Sequence, residues 1–240
     1  VDDASVTSLA SKEYVAFLSA NPPVMGTTNT EMVKRVGAKL SMAVEAYLAN
    51  INKADQVRGY QWEFNLVNNA QANAWCMPGG KVVVYTGILP MTQTEAGLAV
   101  VMGHEIGHAI ARHGNERMSQ MLLTQYGGVA LSTLMSSKPA QTQTVFNTAY
   151  GVGATLGTLA YSRNQEYEAD EMGLYFMAMA GYDPAEAIGF WERMAAHGAS
   201  GMPEFLNTHP NDRARIQHIK DLLPKAVEYY RGTMAQGPRR

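Results

Sequence analysis

The sequence predicts an α+β fold, mainly helical, in which a small antiparallel sheet stands immediately before one buried helix. Three observations carry that prediction. Long segments repeat apolar residues at three- and four-residue steps. From Tyr60 the pattern changes: Trp62, Phe64 and Leu66 alternate with polar residues, and two short strand-like segments follow on either side of a Pro-Gly-Gly turn. The run that follows, Glu95 to Gly114, is apolar yet contains His104-Glu105-Ile106-Gly107-His108.

With 240 residues, 46% of them apolar and 17% charged, the chain is long enough to bury a core as one domain. We read it as 1–240, with 1–55 a helical N-terminal region packed on a core at 60–223. A net charge of -2 gives no electrostatic reason to expect nucleic acid. Cys76, the single cysteine, excludes an intrachain disulfide. No apolar run is long enough to span a membrane as a helix. The chain starts at Val1 without a methionine, which suits processing from a precursor. A targeting segment or membrane tether would then lie upstream of Val1.

Residues 5–20 and about 29–50 read as helices, the second from the spacing of Met32, Val33, Val36, Leu40, Val44 and Leu48. Pro22-Pro23 separates them, and Thr28, Asn29 or Thr30 can cap the second. Trp62, Phe64 and Leu66 alternate as in a half-buried strand, and Asn68-Asn69 turns the chain. Ala72 to Met77 and Lys81 to Thr86 read as a hairpin about Pro78-Gly79-Gly80. Thr92 and Glu95 form a capping-box pattern for the next helix, which Gly114 would end. Met118 to Leu134 looks helical, Ser136 to Gln143 reads as a polar loop, and Val145 to Leu159 is apolar and glycine-rich. Gly153 and Gly157 there suit close helix packing better than a membrane contact. Ser162 and Gln165 form a second capping box for a helix to about Ala180, stopped by Gly181. Asp183-Pro184 starts a helix with Ile188, Trp191 and Met194 on one face. Thr208-His209-Pro210 is a loop. Asn211 or Asp212 caps a last helix to about Leu223, and the tail Gly237-Pro238-Arg239-Arg240 frays. The fifteen methionines read as core filler.

At about 100° per residue, His104 and His108 share a helix face one turn apart, so both imidazoles can reach one metal ion with Glu105 beside it. Two histidines and a carboxylate inside a buried helix are costly unless something satisfies them. A third ligand is then needed. His113 falls one position short of the H-E-x-x-H-x-x-G-x-x-H spacing, and Ala111 stands in place of its glycine. On a continuing helix it would face about 180° away, near a C-terminus whose dipole favours it. Glu166 and Asp170 share a face on the later helix while Glu168 points elsewhere. Acids in a first turn also suit the helix dipole, so spacing leaves Glu166 open as a ligand.

Several motifs together resemble the zinc endopeptidase family that includes HtpX, the CAAX prenyl proteases, the Oma-type mitochondrial proteases and, closest in layout, the soluble LoiP-like periplasmic proteases. They are Asn73-Ala74 with Pro78-Gly79-Gly80, Gly103 to His108, Ser162-Arg163 with Glu166 to Asp170 and Gly173, Gly181 to Pro184, and Thr208-His209-Pro210 with Arg215-Ile216. They cover about residues 60–220. The resemblance implies a zincin-like (gluzincin) fold and one Zn2+ per chain held by His104, His108 and Glu166. It implies Glu105 as general base, Asp170 behind a ligand histidine, and Arg215 pairing with an acid nearby. His209, which as a lone loop histidine would otherwise be surface, becomes a candidate oxyanion donor. Asn73 and Ala74, in the hairpin, would offer an edge strand to extended polypeptide substrates. The resemblance further implies hydrolysis of unfolded or damaged proteins in a bacterial periplasm or cell envelope, as a lipoprotein. The alternative is a latent or non-catalytic zinc-binding scaffold with a chaperone-like role, in which 115–161 or a terminus could plug the cleft.

Overall fold

Side-chain caps start the first two helices of the computed structural model, which describes residues 1–152, 160–198, 204–210 and 213–236. Asp2 accepts from the Ser5 N–H to open α1 (Asp3–Ala20), and Thr27 accepts from the Thr30 N–H to open α2 (Thr28–Asn50). Thr27, rather than any of the three residues after it, holds the extended backbone that a cap needs.

Three strands follow: β1 (Glu63–Val67), β2 (Ala74–Met77) and β3 (Lys81–Tyr85). Gly79 and Gly80 make the β2–β3 turn, both at positive φ (87° and 82°), where a side chain would be strained. The sheet is mixed, in the order β1-β3-β2. β2 pairs antiparallel with β3, as the hairpin pattern requires, but β1 lies parallel to β3 with Glu63 opposite Lys81. Alternation marks a strand without giving its direction, so the all-antiparallel expectation fails at β1. Both faces of the sheet are covered. Leu66, Ala74, Cys76, Val82 and Val84 join the core with α2, while Val67, Trp75, Met77, Val83 and Tyr85 join a second core with α1. The two N-terminal helices therefore pack on opposite faces.

A short helix α3 (Leu89–Thr92) precedes α4 (Glu95–Ile110), and this displaces the predicted capping box. Thr94 is the cap, accepting from the Gly97 N–H at 3.0 Å, and the Thr92 hydroxyl bonds back to Leu89. Nor does α4 continue to Gly114. It ends at Ile110, Arg112 turns left-handed (φ 65°), and α5 (His113–Tyr126) begins. The left-handed turn costs a non-glycine residue roughly 1–2 kcal/mol. Gly114 is needed for a different reason: a Cβ there would lie 2.3 Å from the Tyr150 ring.

Helices α6 (Leu131–Ser137) and α7 (Pro139–Tyr150) replace the predicted loop at 136–143. Only Lys138 is non-helical between them, and Pro139 sits where its missing N–H costs nothing. The Ser162–Gln165 box does open α8 (Arg163–Met179). Asp183 caps the turn before α9 (Glu186–Gly198), which starts two residues beyond Pro184. After α10 (Glu204–Thr208), α11 (Arg213–Gln236) runs straight through Pro224 instead of stopping at Leu223. Its second half is held by packing, with Ala226 buried and the Tyr229 ring against Tyr47 and Tyr175. Gly153, Gly157, Asn211, Asp212 and the 237–240 tail lie outside the described residues. Among those described, no helix is long and apolar enough to cross a membrane.

Helices α4 and α8 cross backbone to backbone. A Cβ on Gly173 would lie 2.7 Å from the His104 nitrogen, and one on Gly107 would lie 2.8 Å from the Ala169 oxygen. Gly173→Ala should therefore destabilise the chain by about 1–3 kcal/mol, because overpacking against backbone outweighs the helix-propensity gain. Gly232, on α11 with nothing within 4 Å, should gain about 0.5–1 kcal/mol from the same change. Urea unfolding of both variants checks the opposite signs.

Candidate metal centre

That crossing brings the first turn of α8 against the middle of α4. His104 and His108 are 1% and 3% exposed, with their Nε2 atoms 3.0 Å apart. Glu166 places Oε1 3.2 Å from His108 Nε2 and Oε2 3.6 Å from His104 Nε2. His209, just past α10, puts Nδ1 2.9 Å from Glu166 Oε1 and 3.1 Å from His104 Nε2. Four donors thus converge from three separate parts of the chain, all within 4.8 Å of one another.

The partners behind the histidines decide their tautomers. Asp170 Oδ1 is 2.9 Å from His104 Nδ1. A carboxylate only accepts, so His104 carries its proton on Nδ1 and presents a bare lone pair at Nε2. Asp170 is itself gripped by Arg215, through Nε at 2.6 Å and Nη2 at 2.8 Å. The same guanidinium reaches Glu166 Oε2 at 2.5 Å and lies over the Trp191 ring at 3.7 Å. On the other side of the centre, the Tyr161 ring stacks on His108 at 3.8 Å, with the Arg117 guanidinium over Tyr161 at 3.6 Å.

Burial pushes Glu166 and Asp170 up, but the charge of Arg215, with His209 and His104 adding on Glu166, overcomes it and holds both below the ordinary carboxylate range. Burial lowers His108 and His209, favouring their uncharged forms. Glu105 goes the other way: burial raises it to about 8, against the pull of His104. Its Oε1 lies 3.3 Å from His209 Nε2 but makes no hydrogen bond among the described residues.

A metal ion fits this set. Four ligand atoms at about 2.0–2.2 Å from one tetrahedral ion lie about 3.3–3.6 Å apart, close to the spacings found. Bare nitrogen lone pairs and a carboxylate oxygen facing one another need a cation between them.

Each expected site residue lies in or beside this cluster. Asn73 and Ala74 reach it at the start of β2, where they share with Glu105, Tyr161 and His209 a cavity of about 10 Å³. Both are buried here. His113 is the correction. The helical-phase argument assumed an unbroken α4, but the turn at Arg112 swings His113 back, buried, until its Nδ1 lies 2.9 Å from His108 Nδ1. It belongs to the site without being one of the four converging donors. Tyr161 and Arg117 are also additions, and no local pattern announces a ring that stacks across the fold.

Paired helical histidines around a glutamate, with an acid supplied by a second helix, define a metal centre of the zincin class. The profile of peptidase family M48 matches residues 35–223, and the chain belongs to that family. The mitochondrial metalloendopeptidase OMA1 of Saccharomyces cerevisiae is 36% identical over 184 residues, covering 72% of this chain and 50% of that protein. Its Arabidopsis thaliana counterpart is 33% identical over 181 residues, covering 75% and 36%. The beta-barrel assembly-enhancing protease of Escherichia coli is 31% identical over 215 residues, covering 87% and 42%. The chain therefore spans about half, or less, of the length of these relatives.

Removing Arg215 leaves two buried carboxylates without their cation. Arg215→Ala should cost about 3–5 kcal/mol in the metal-free chain, read by urea unfolding. Depressed carboxylates stabilise the fold above their unfolded pKa and lose that contribution as pH falls through their folded values. The variant should accordingly unfold at higher pH than wild type in an acid titration starting near pH 7.

Proposed function

We propose that this chain is a zinc-dependent endopeptidase that hydrolyses extended segments of unfolded or damaged proteins. The observation that carries the reading is the set of facing lone pairs on His104, His108 and Glu166 beside a buried Glu105 oxygen that makes no hydrogen bond among the described residues. Two imidazoles and one carboxylate suit zinc, which when bound polarises a carbonyl and lowers the pKa of a water to about 7. Glu105 is the general base. It takes the proton of the attacking water and delivers it to the leaving amine. The cavity beside it has room for about one water. Asp170 and Arg215 hold His104 in its ligating tautomer.

His209 closes the site in this arrangement. With a metal held by His104, His108 and Glu166, the His209 nitrogen would take the fourth position, and catalysis requires that position open for water or a carbonyl oxygen. This supports a latent reading over a non-catalytic scaffold, because the base and the ligand set are complete. For turnover the segment carrying His209 must withdraw. Its ring can then donate to the oxyanion only from farther out. Withdrawal would also uncover Asn73 and Ala74, whose strand is at the sheet edge: the Phe205 N–H from α10 bonds to Ala72 O at 3.0 Å. An extended peptide could take that backbone position. What supports a bacterial envelope location is the likeness to the Escherichia coli protease, which covers 87% of the chain against 72% for the yeast mitochondrial one. Fractionation of the native host tests it.

Glu105→Gln should keep zinc, measured by metal analysis, and lose at least about 100-fold of casein cleavage. Undiminished cleavage would sink the mechanism. His209→Ala should raise turnover of an unstructured peptide at unchanged zinc content, whereas a fall would make the ring chiefly an oxyanion donor.

A further inference from the structure

His104 is backed by the buried acid Asp170, but among the described residues no carboxylate meets the outer nitrogen of His108. His113 occupies that place. Its Nδ1 lies 2.9 Å from His108 Nδ1, and its Nε2 lies 3.2 Å from Glu168 Oε2. We propose that His113 is the positioning residue of the second metal-ligating histidine, linking His108 to the carboxylate of Glu168 in a hydrogen-bonded His–His–Glu chain. The proposal rests on the metal-centre reading above.

The direction of the chain follows from its end. Glu168 is an acceptor, so His113 must donate from Nε2. A neutral imidazole then offers a lone pair at Nδ1. His108 must donate to that lone pair from its own Nδ1, and so its Nε2 is left bare and turned to the centre, 3.2 Å from Glu166 Oε1. One surface carboxylate thus sets two tautomers in series. The Tyr161 ring stacked on His108 holds the ring plane, and the hydrogen bond that His108 donates to His113 fixes its rotation within that plane.

The local backbone is built for the contact. Had α4 continued, His113 would face about 180° from His104. The left-handed turn at Arg112 places it under His108 instead, with its side chain 2% exposed, while Glu168 is 59% exposed. Glu168 opens onto a surface cavity of about 450 Å³ shared with Glu116 and Gln165. A histidine that served only as core filler would need neither an imidazole donor within 2.9 Å of one nitrogen nor a carboxylate within 3.2 Å of the other.

The test measures zinc affinity by chelator competition on the full chain, alongside thermal unfolding of the metal-free form. His113→Ala should lower zinc affinity about 10- to 100-fold. Glu168→Ala, at an exposed position, should lower it by a smaller factor without changing the metal-free unfolding temperature. His113→Gln, whose amide oxygen can accept from His108, should recover most of the loss. Ring-nitrogen NMR of the zinc-loaded wild type should show His108 protonated at Nδ1 and His113 at Nε2, a readout that needs no variant to fold. His113 protonated at Nδ1, or wild-type affinity in folded His113→Ala, overturns the proposal alone. A wild-type chain that binds no zinc overturns it together with the metal-centre reading.

Discussion

The close crossing of α4 and α8 is the contact on which the rest of this molecule depends. Glutamate is a short reach: its carboxylate can join two histidines of another helix only if the backbones nearly touch. Gly103, Gly107 and Gly173 remove the side chains that would hold the helices apart, down to 2.7 Å between a would-be Cβ and the His104 nitrogen. Glycines inside helices cost about 1 kcal/mol each relative to alanine. The fold carries that cost on both helices, at the turns that bear His104, His108 and Glu166.

Burying so many polar groups at one crossing is the second constraint. Glu105, Glu166, Asp170, Arg215, His104, His108 and His209 are all nearly inaccessible to water. Arg215 offsets part of the negative charge by bridging Asp170 and Glu166 while lying flat on Trp191, a geometry suited to a planar guanidinium and not to lysine. The remainder of the negative charge is what a divalent cation would take up, while burial raises Glu105. Stability and chemistry are therefore coupled at this site: the groups that hold a metal are the ones the fold can least tolerate unpaired.

Much of this was legible in the residues because it rests on local rules. A four-residue histidine spacing is a statement about one helix face, the Ser162–Gln165 box about one helix start, and Pro78-Gly79-Gly80 about one turn. Each needs no knowledge of the rest of the chain, and each is found as expected. The misreadings fall where a long-range contact overrides a local signal. Pro224 should end a helix, but α11 is held on both sides of it. Thr92 should cap α4, but a short helix intervenes. The stretch at 136–143 is polar because one face of α6 and α7 meets water.

By itself the sequence determined that this chain carries a metal-binding helix of the H-E-x-x-H kind after a small sheet, since periodicity and spacing follow from backbone geometry alone. Only the tertiary structure decided that β1 runs parallel to β3, that His209 joins the ligand cluster, and that His113 sits behind His108. The physical reason is the same in each case. Strand direction, the closure of a loop over a site and a left-handed turn at a non-glycine residue are set by what the far parts of the chain bury, and no local propensity records them.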